Sequence, residues 1–326
     1  MEEIFSKIGE LYGIQTHTSE KITKGFLSEN HILSDGEKKY FLKTYRFRNK
    51  EKIEEIHSVK KYFADGGIPV ILPILNKEKN KYFSVNGQYF SIFPFINGRH
   101  IEKDFTDTSI TSLGEMLGKI HLLGKESELF VTEKFEGWDK TKILEKIENI
   151  TAVIHQQKEL NDFDKLALED FEMRKLLIAS NTVNFEDLNL KNDHLIHGDY
   201  HTQNVFFNDH DRVSSVFDFE KTEYAPRMFE LIRSLILVFF NNGFDPENVP
   251  KAKLYLHSYS NIYPTSKETL RVGLQLYYLK MLHNCWVQEE HFLKKNYRAD
   301  QFLSINFNRI KYLSKHLKDL ENILIK

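Results

Sequence analysis

Apolar positions change their period along this chain, and the change falls near residue 95. Before it, the pattern is mostly that of strands. Residues 26–33 and 39–45 approach the apolar–polar alternation of strands with one buried face. Ser34-Asp35-Gly36-Glu37 separates them and carries the Asp-Gly signal of a tight antiparallel turn. Over residues 50–64, Ile53, Ile56, Lys60 and Phe63 recur every three or four positions, which predicts a helix. Asp65-Gly66-Gly67-Ile68-Pro69 stops it, with glycine past the end and proline beyond. Residues 70–75, 81–85 and 89–93 read as further strands, with Asn86-Gly87 as a hairpin turn.

After Pro94-Phe95-Ile96-Asn97-Gly98 the period becomes helical. Residues 110–123 place Leu113, Leu117 and Ile120 on one face. Residues 142–155 do the same with Ile143, Ile147, Ile150 and Ile154. Residues 163–180 read as another helix. Leu303, Phe307, Ile310, Leu313, Leu317, Leu320 and Leu324 mark a long one at the end. Only residues 205–219 in this half read as strand. The expectation is an α+β, two-lobed protein: residues 1–95 as a lobe with an antiparallel sheet, residues 96–326 as a larger, mainly helical lobe.

The chain has 326 residues, enough for two domains at about 150 residues each. Its 45 basic and 47 acidic residues leave a net charge of −2. That balance argues against a nucleic-acid partner, which selects a basic excess. The most apolar run, residues 235–240, is far too short to span a bilayer, so no membrane partner is expected. The N-terminus lacks a basic n-region and an apolar core, and a cytoplasmic protein is expected. Cys285 stands alone, which rules out an intrachain disulfide and makes a structural zinc site unsupported.

Candidate chemistry concentrates in His197-Gly198-Asp199-Tyr200-His201-Thr202-Gln203-Asn204. A hairpin follows, from Val205-Phe206-Phe207 through Asn208-Asp209-His210-Asp211 to residues 213–217, and then Asp218-Phe219-Glu220. A hairpin brings its two ends together, so Asn204 and Asp218 should lie side by side, with Asp199 on the same edge. Oxygen donors of this kind suit Mg²⁺, which takes one or two carboxylates and leaves its other positions to phosphate and water. Asp199-Tyr200-His201 is also the Asp-x-His of two-metal phosphatases. That chemistry needs further Asp, Asn and His clusters, and Asp209-His210-Asp211-Arg212 is better explained as the hairpin turn.

The spacing His-x-Asp-x-x-x-x-Asn followed by Asp-Phe-x resembles the catalytic loop and metal motif of the protein-kinase-like fold. With His-Gly-Asp-x-His, the chain resembles the aminoglycoside phosphotransferase and choline kinase-like family of small-molecule kinases, over residues 25–240. Glu220 stands where protein kinases carry glycine. The resemblance implies roles. Asp199 would orient the acceptor hydroxyl and accept its proton, and His197 would brace the loop. Asn204 and Asp218 would hold Mg²⁺ on the phosphates of ATP, or of GTP. Lys43, in the middle of its strand, would contact the α and β phosphates, and a glutamate of the following helix would pair with it. Glu54 and Glu55 are the candidates, with Glu55 preferred. Gly25-Phe26-Leu27-Ser28-Glu29-Asn30 would be the phosphate loop, with Ser28 and Asn30 near the nucleotide. Phe93-Pro94-Phe95-Ile96 would be the interlobe hinge, binding adenine through the backbone at Phe93 and Phe95. His121 reads as a core histidine and Glu230 as structural. The implied partners are a nucleotide and a small hydroxyl-bearing acceptor, such as an aminoglycoside, choline, homoserine or a sugar. The other reading is a kinase-fold protein of the spore-coat kind, which binds but has lost the chemistry.

Overall fold

A computed structural model describes residues 1–22, 29–241 and 243–325. The described chain divides into two compact units. One contains Met1–Ser109, Glu126–Glu133 and His197–Glu223; the other contains Ile110–Lys125, Lys134–Ile196 and Tyr224–Lys326. Each unit is discontinuous in sequence, whereas the expected division cut the chain once, at residue 95. The segment with the candidate chemistry groups with the sheet.

In the first unit, helix α1 (Glu2–Tyr12) precedes a sheet of strands β1 (Thr18–Ile22), β2 (Asn30–Ser34), β3 (Lys39–Thr44), β4 (Phe83–Val85) and β5 (Gln88–Pro94). All neighbours are antiparallel, in the order β1-β2-β3-β5-β4. Both expected turns are present. Gly36 takes a φ of 95° between β2 and β3, and Asn86 and Gly87 take φ values of 50° and 73° between β4 and β5. Leu33, Leu42 and Ile92 pack with Ile8, Leu11 and Ile14, so α1 covers one face of the sheet. Helix α2 (Lys50–Asp65) begins at Asn49, whose side chain accepts from Lys52 N. It buries Ile53, Ile56, Val59, Lys60 and Phe63.

Three features depart from the expectation. Helix α1 and strand β1 were not foreseen, since β1 is exposed along nearly its whole length and has no apolar face to betray it. The strand expected over 26–33 begins at Asn30, and residues 26–28 lie outside the described part. Residues 70–75 form no strand of the sheet. Pro69 and Pro73 lack the N–H that a ladder needs. Backbone bonds from Val216 N to Pro69 O (2.9 Å) and from Ile71 N to Val216 O (3.3 Å) tie the start of this stretch to the hairpin, and a single bond from Ile74 N to Ile92 O (2.7 Å) ties its end to β5.

That hairpin is β7 (Val205–Phe207) and β8 (Val213–Val216), as the sequence predicted, with Val205 opposite Val216. Two short strands, β6 (His194–Ile196) and β9 (Glu223–Ala225), flank the segment with the candidate chemistry in sequence.

The second unit is helical. Helices α3 (Asp107–Lys125), α4 (Lys140–His155) and α5 (Asp162–Ser180) contain the expected stretches. Three more follow: α6 (Arg227–Phe239), α7 (Val249–Ile262) and α8 (Lys267–Leu282). A short α9 (Trp286–Gln288), a π turn over Glu289–Leu293 and α10 (Phe302–Ile325) close the chain. Gly114 lets α3 lie directly on α7, since a Cβ there would stand 2.5 Å from Tyr255 O. His121 is fully buried, as expected. Its ring nitrogens meet the Tyr259 hydroxyl at 2.8 Å and Glu230 Oε2 at 3.0 Å. Among the described residues, no helix is long and apolar enough to cross a membrane.

Candidate active site

The site is built on two supports, strand β3 and the β7–β8 hairpin. Lys43 points from β3 toward α2, on the sheet face opposite the buried Leu42. Its ammonium lies 2.7 Å from Asp218 Oδ1 and 2.8 Å from Glu220 Oε1. Burial pulls the pKa of this lysine down. The two carboxylates reverse that effect and hold it above the ordinary lysine range. Burial likewise pushes Asp218 up, but Lys43 more than compensates and keeps its carboxyl below the usual range.

Asp218 sits in the left-handed region, with φ 65° and ψ 62°. Aspartate tolerates that conformation better than most residues, and such strain concentrates at functional positions. The bend reverses the chain just after β8 and starts a 3₁₀ turn over Phe219–Lys221. Phe219 is buried between Phe63 of α2, with ring centroids 5.4 Å apart, and His197, at 4.4 Å. This aromatic column presents the carboxylates on either side of Phe219, Asp218 and Glu220, to one ammonium.

The His197 loop is held by its own backbone. His197 is fully buried. Its Nε2 is 2.9 Å from Phe217 O, and its Nδ1 accepts from Asp199 N at 3.2 Å. That pattern assigns the proton to Nε2. Gly198 takes a φ of 82°, and a Cβ there would meet Lys221 O at 1.9 Å, so the loop requires glycine. Asn204 donates through Nδ2 to Asp199 O at 2.8 Å. Its amide hydrogens thus face the loop, which leaves Oδ1 as the atom able to serve a cation. Phe217 N donates to Asn204 O at 3.1 Å, which sets Asn204 one residue from Asp218 across the hairpin. Asp199 Oδ2 accepts from Lys221 Nζ at 2.9 Å. His201 caps the turn after the loop, accepting from Gln203 N at 3.3 Å.

The remaining sequence candidates divide. Glu55 is not the partner of Lys43. Its carboxylate takes Lys52 Nζ at 2.5 Å and Thr132 N at 2.7 Å. The reason is helical phase: the face of α2 turned to the core carries Ile53, Ile56, Lys60 and Phe63, and no glutamate lies on that stripe. Glu54 bonds the Tyr82 hydroxyl instead. Asn30 opens β2, and its Oδ1 accepts from Thr44 N at 3.2 Å, which pins β2 to β3 beside Lys43. Ser28 lies outside the described residues. Phe93 is buried in β5, opposite Phe41. Phe95 lies one residue past Pro94, the last residue of the ladder, so its backbone groups are not committed to the sheet. Glu220 and Lys221 were missed as site residues. Their signal was the unbroken acidic-basic pair directly after Asp-Phe, where glycine would have left Lys43 with Asp218 and no second close carboxylate.

A family model described as the phosphotransferase enzyme family matches residues 18–268. The chain belongs to that family. A search of curated protein sequences finds no match. Solved structures share the fold at low identity. A spectinomycin phosphotransferase, crystallised with ADP and spectinomycin, is 17% identical, with 99% of this chain and 97% of that one covered and a TM-score of 0.67. A microcompartment-associated aminopropanol kinase is 12% identical, with both chains fully covered and a TM-score of 0.64. A choline kinase from Cryptosporidium parvum Iowa II is 10% identical, with 99% and 97% covered and a TM-score of 0.64. The kinase-like α+β architecture expected from the sequence is therefore the observed one.

Proposed function

We propose that this protein transfers the γ-phosphate of ATP, or of GTP, to a hydroxyl group of a small molecule, with Mg²⁺ as the metal. The observation that carries this reading is the meeting of Lys43 with Asp218, residues 175 positions apart, at 2.7 Å beside the Asp199–Asn204 loop. The family and the nucleotides and small acceptors bound by its structural relatives support it. A cytoplasmic setting agrees with a single, buried thiol at Cys285.

Among the described residues, no three His, Cys, Asp or Glu side chains form a ready metal centre. Mg²⁺ does not need one, because it keeps water and phosphate as ligands. The donor set fits: one carboxylate oxygen of Asp218 and the Oδ1 of Asn204 are hard oxygen atoms at one end of one hairpin. Bound there, the ion would neutralise charge on the transferring phosphate.

The residues do the rest. Lys43 meets the α and β phosphates as a fixed point charge, steadied by Glu220. Asp199 accepts the proton of the acceptor hydroxyl as its oxygen bonds to phosphorus and the bond to the departing diphosphate breaks. Lys221 donates to Asp199 Oδ2 and steadies the carboxylate. His197 and Gly198 fix the loop that aims the carboxylate. The test is a panel of hydroxyl metabolites, including aminoglycosides, choline, homoserine and sugars, incubated with ATP or GTP and Mg²⁺ and read by mass spectrometry. A product 80 Da heavier (the mass of a phosphoryl group, about HPO₃) that disappears in Asp199→Asn supports the reading. Nucleotide binding without turnover across the panel would favour the inactive, binding-only protein.

A further inference from the structure

Helix α2 was expected to bring a carboxylate to Lys43, and its buried stripe carries a lysine, Lys60, instead. Lys60 is 2% exposed. Among the described residues its Nζ has no hydrogen-bond acceptor and no ion pair. Its contact is the face of the Phe93 ring, at 4.4 Å from the centroid. A buried charge without a partner is costly, and such groups persist where a ligand or a second state uses them. Burial first, then the charge of Lys43, pulls Lys60 down to about 7, while Asp218 and Glu220 pull it back up. Lys60 lies one helical turn before Phe63, whose ring stacks on Phe219 between Asp218 and Glu220.

Glu220 is the complementary case. Its side chain is 8% exposed, and Oε1, although 2.8 Å from Lys43, receives no well-aligned hydrogen bond. Arg46 reaches its other oxygen only at 3.5 Å. Glu220 shares the ammonium of Lys43 with Asp218, at nearly equal distances. A nucleotide adds phosphate oxygens to what that ammonium must serve. The 3₁₀ turn that carries Glu220 packs on α2, with Phe219 stacked on Phe63, one turn beyond Lys60.

Resting on the reading of this site as a nucleotide site, we propose that Lys60 is a positioning residue: when Lys43 turns to phosphate, Lys60 becomes the cation of Glu220. The two buried, underserved charges then complete each other, and the turn that presents Asp218 stays in place.

The experiment is a double-mutant cycle on the full chain with Lys60→Met, Glu220→Gln and the pair. AMP-PNP with Mg²⁺ is the probe, followed by calorimetry and by melting with and without it. Without nucleotide, Lys60→Met should melt no lower than wild type, because it removes an unpaired buried charge. With nucleotide, it should bind about tenfold more weakly and gain a smaller thermal shift. In the Glu220→Gln background the same change should cost little further affinity. Wild-type affinity in Lys60→Met, or fully additive losses in the pair, would overturn the proposal while leaving the nucleotide site intact. Failure of wild type to bind AMP-PNP would overturn both. If Lys60→Met does not fold, Lys60→Gln, which is one atom shorter and removes the charge but keeps a polar end, gives the same readout.

Discussion

Single residues carry the sharpest constraints. Gly198 occupies a conformation and a space that no side chain fits, with the Lys221 carbonyl 1.9 Å from where a Cβ would stand. Gly198→Ala should displace the loop and remove activity, and the loss of melting temperature should accompany it; a fully active Gly198→Ala would show that the loop is not held as described. Lys60 sets a pH dependence. Its value in the folded chain is about 7, against 10.5 for an ordinary lysine. The unfolded chain therefore binds more protons between those two values, and stability from this group rises with pH across that window. Below about pH 7 the penalty of the buried charge is fully present. Lys60→Met should raise the unliganded melting temperature most near pH 7 and progressively less toward pH 10; an increment that grows with pH would contradict this. The placement of the candidate residues was legible in the sequence because their spacing is rigid: His197, Asp199, Asn204 and Asp218 are fixed to one loop and one hairpin. Glu55 misled because helical position alone does not give phase. One residue of rotation moves a side chain by about 100°, and that is enough to exchange Glu55 for the buried stripe of Ile56 and Lys60.

Elements differ in how openly the sequence declares them. The hairpin turns at Asp35-Gly36 and Asn86-Gly87 were plain because only a few residues accept a positive φ. Strand β1 was silent because its residues are nearly all exposed. In the helical unit, α5 is held to the end of α8 by a group that no periodicity shows. Arg174, 2% exposed, donates Nε to Asp170 Oδ2 at 2.6 Å. Its Nη1 donates to Met281 O at 2.7 Å and to Leu282 O at 2.8 Å, the last carbonyls of α8. Gln288 Nε2 also donates to Asp170, at 2.6 Å. Removing one partner of a buried pair typically costs about 3–5 kcal/mol. Arg174→Ala should therefore lower the melting temperature by about 5–15 °C. Replacing both members by apolar residues, as in Asp170→Leu with Arg174→Met, should recover much of that loss. A melting temperature unchanged in Arg174→Ala would remove this contact from the account of the fold.

At the scale of the molecule, the chemistry is assembled from distant sequence. Lys43 reaches Asp218 and Glu220 across more than half the chain, and no local pattern forecasts that a turn rather than a helix supplies the second carboxylate. In the proposed reading, Asp218 serves a nucleotide-bound cation and Lys43 serves its phosphates. Asp218→Asn is the right variant, since asparagine also accepts the left-handed backbone while losing the charge. The measurement is calorimetric titration of wild type and Asp218→Asn with AMP-PNP, each in Mg²⁺ and in EDTA. Wild type should bind far more tightly with Mg²⁺ than in EDTA, and Asp218→Asn should lose most of that difference while remaining folded. Equal affinity of wild type with and without Mg²⁺, or an undiminished Mg²⁺ effect in Asp218→Asn, would contradict the assignment of this site.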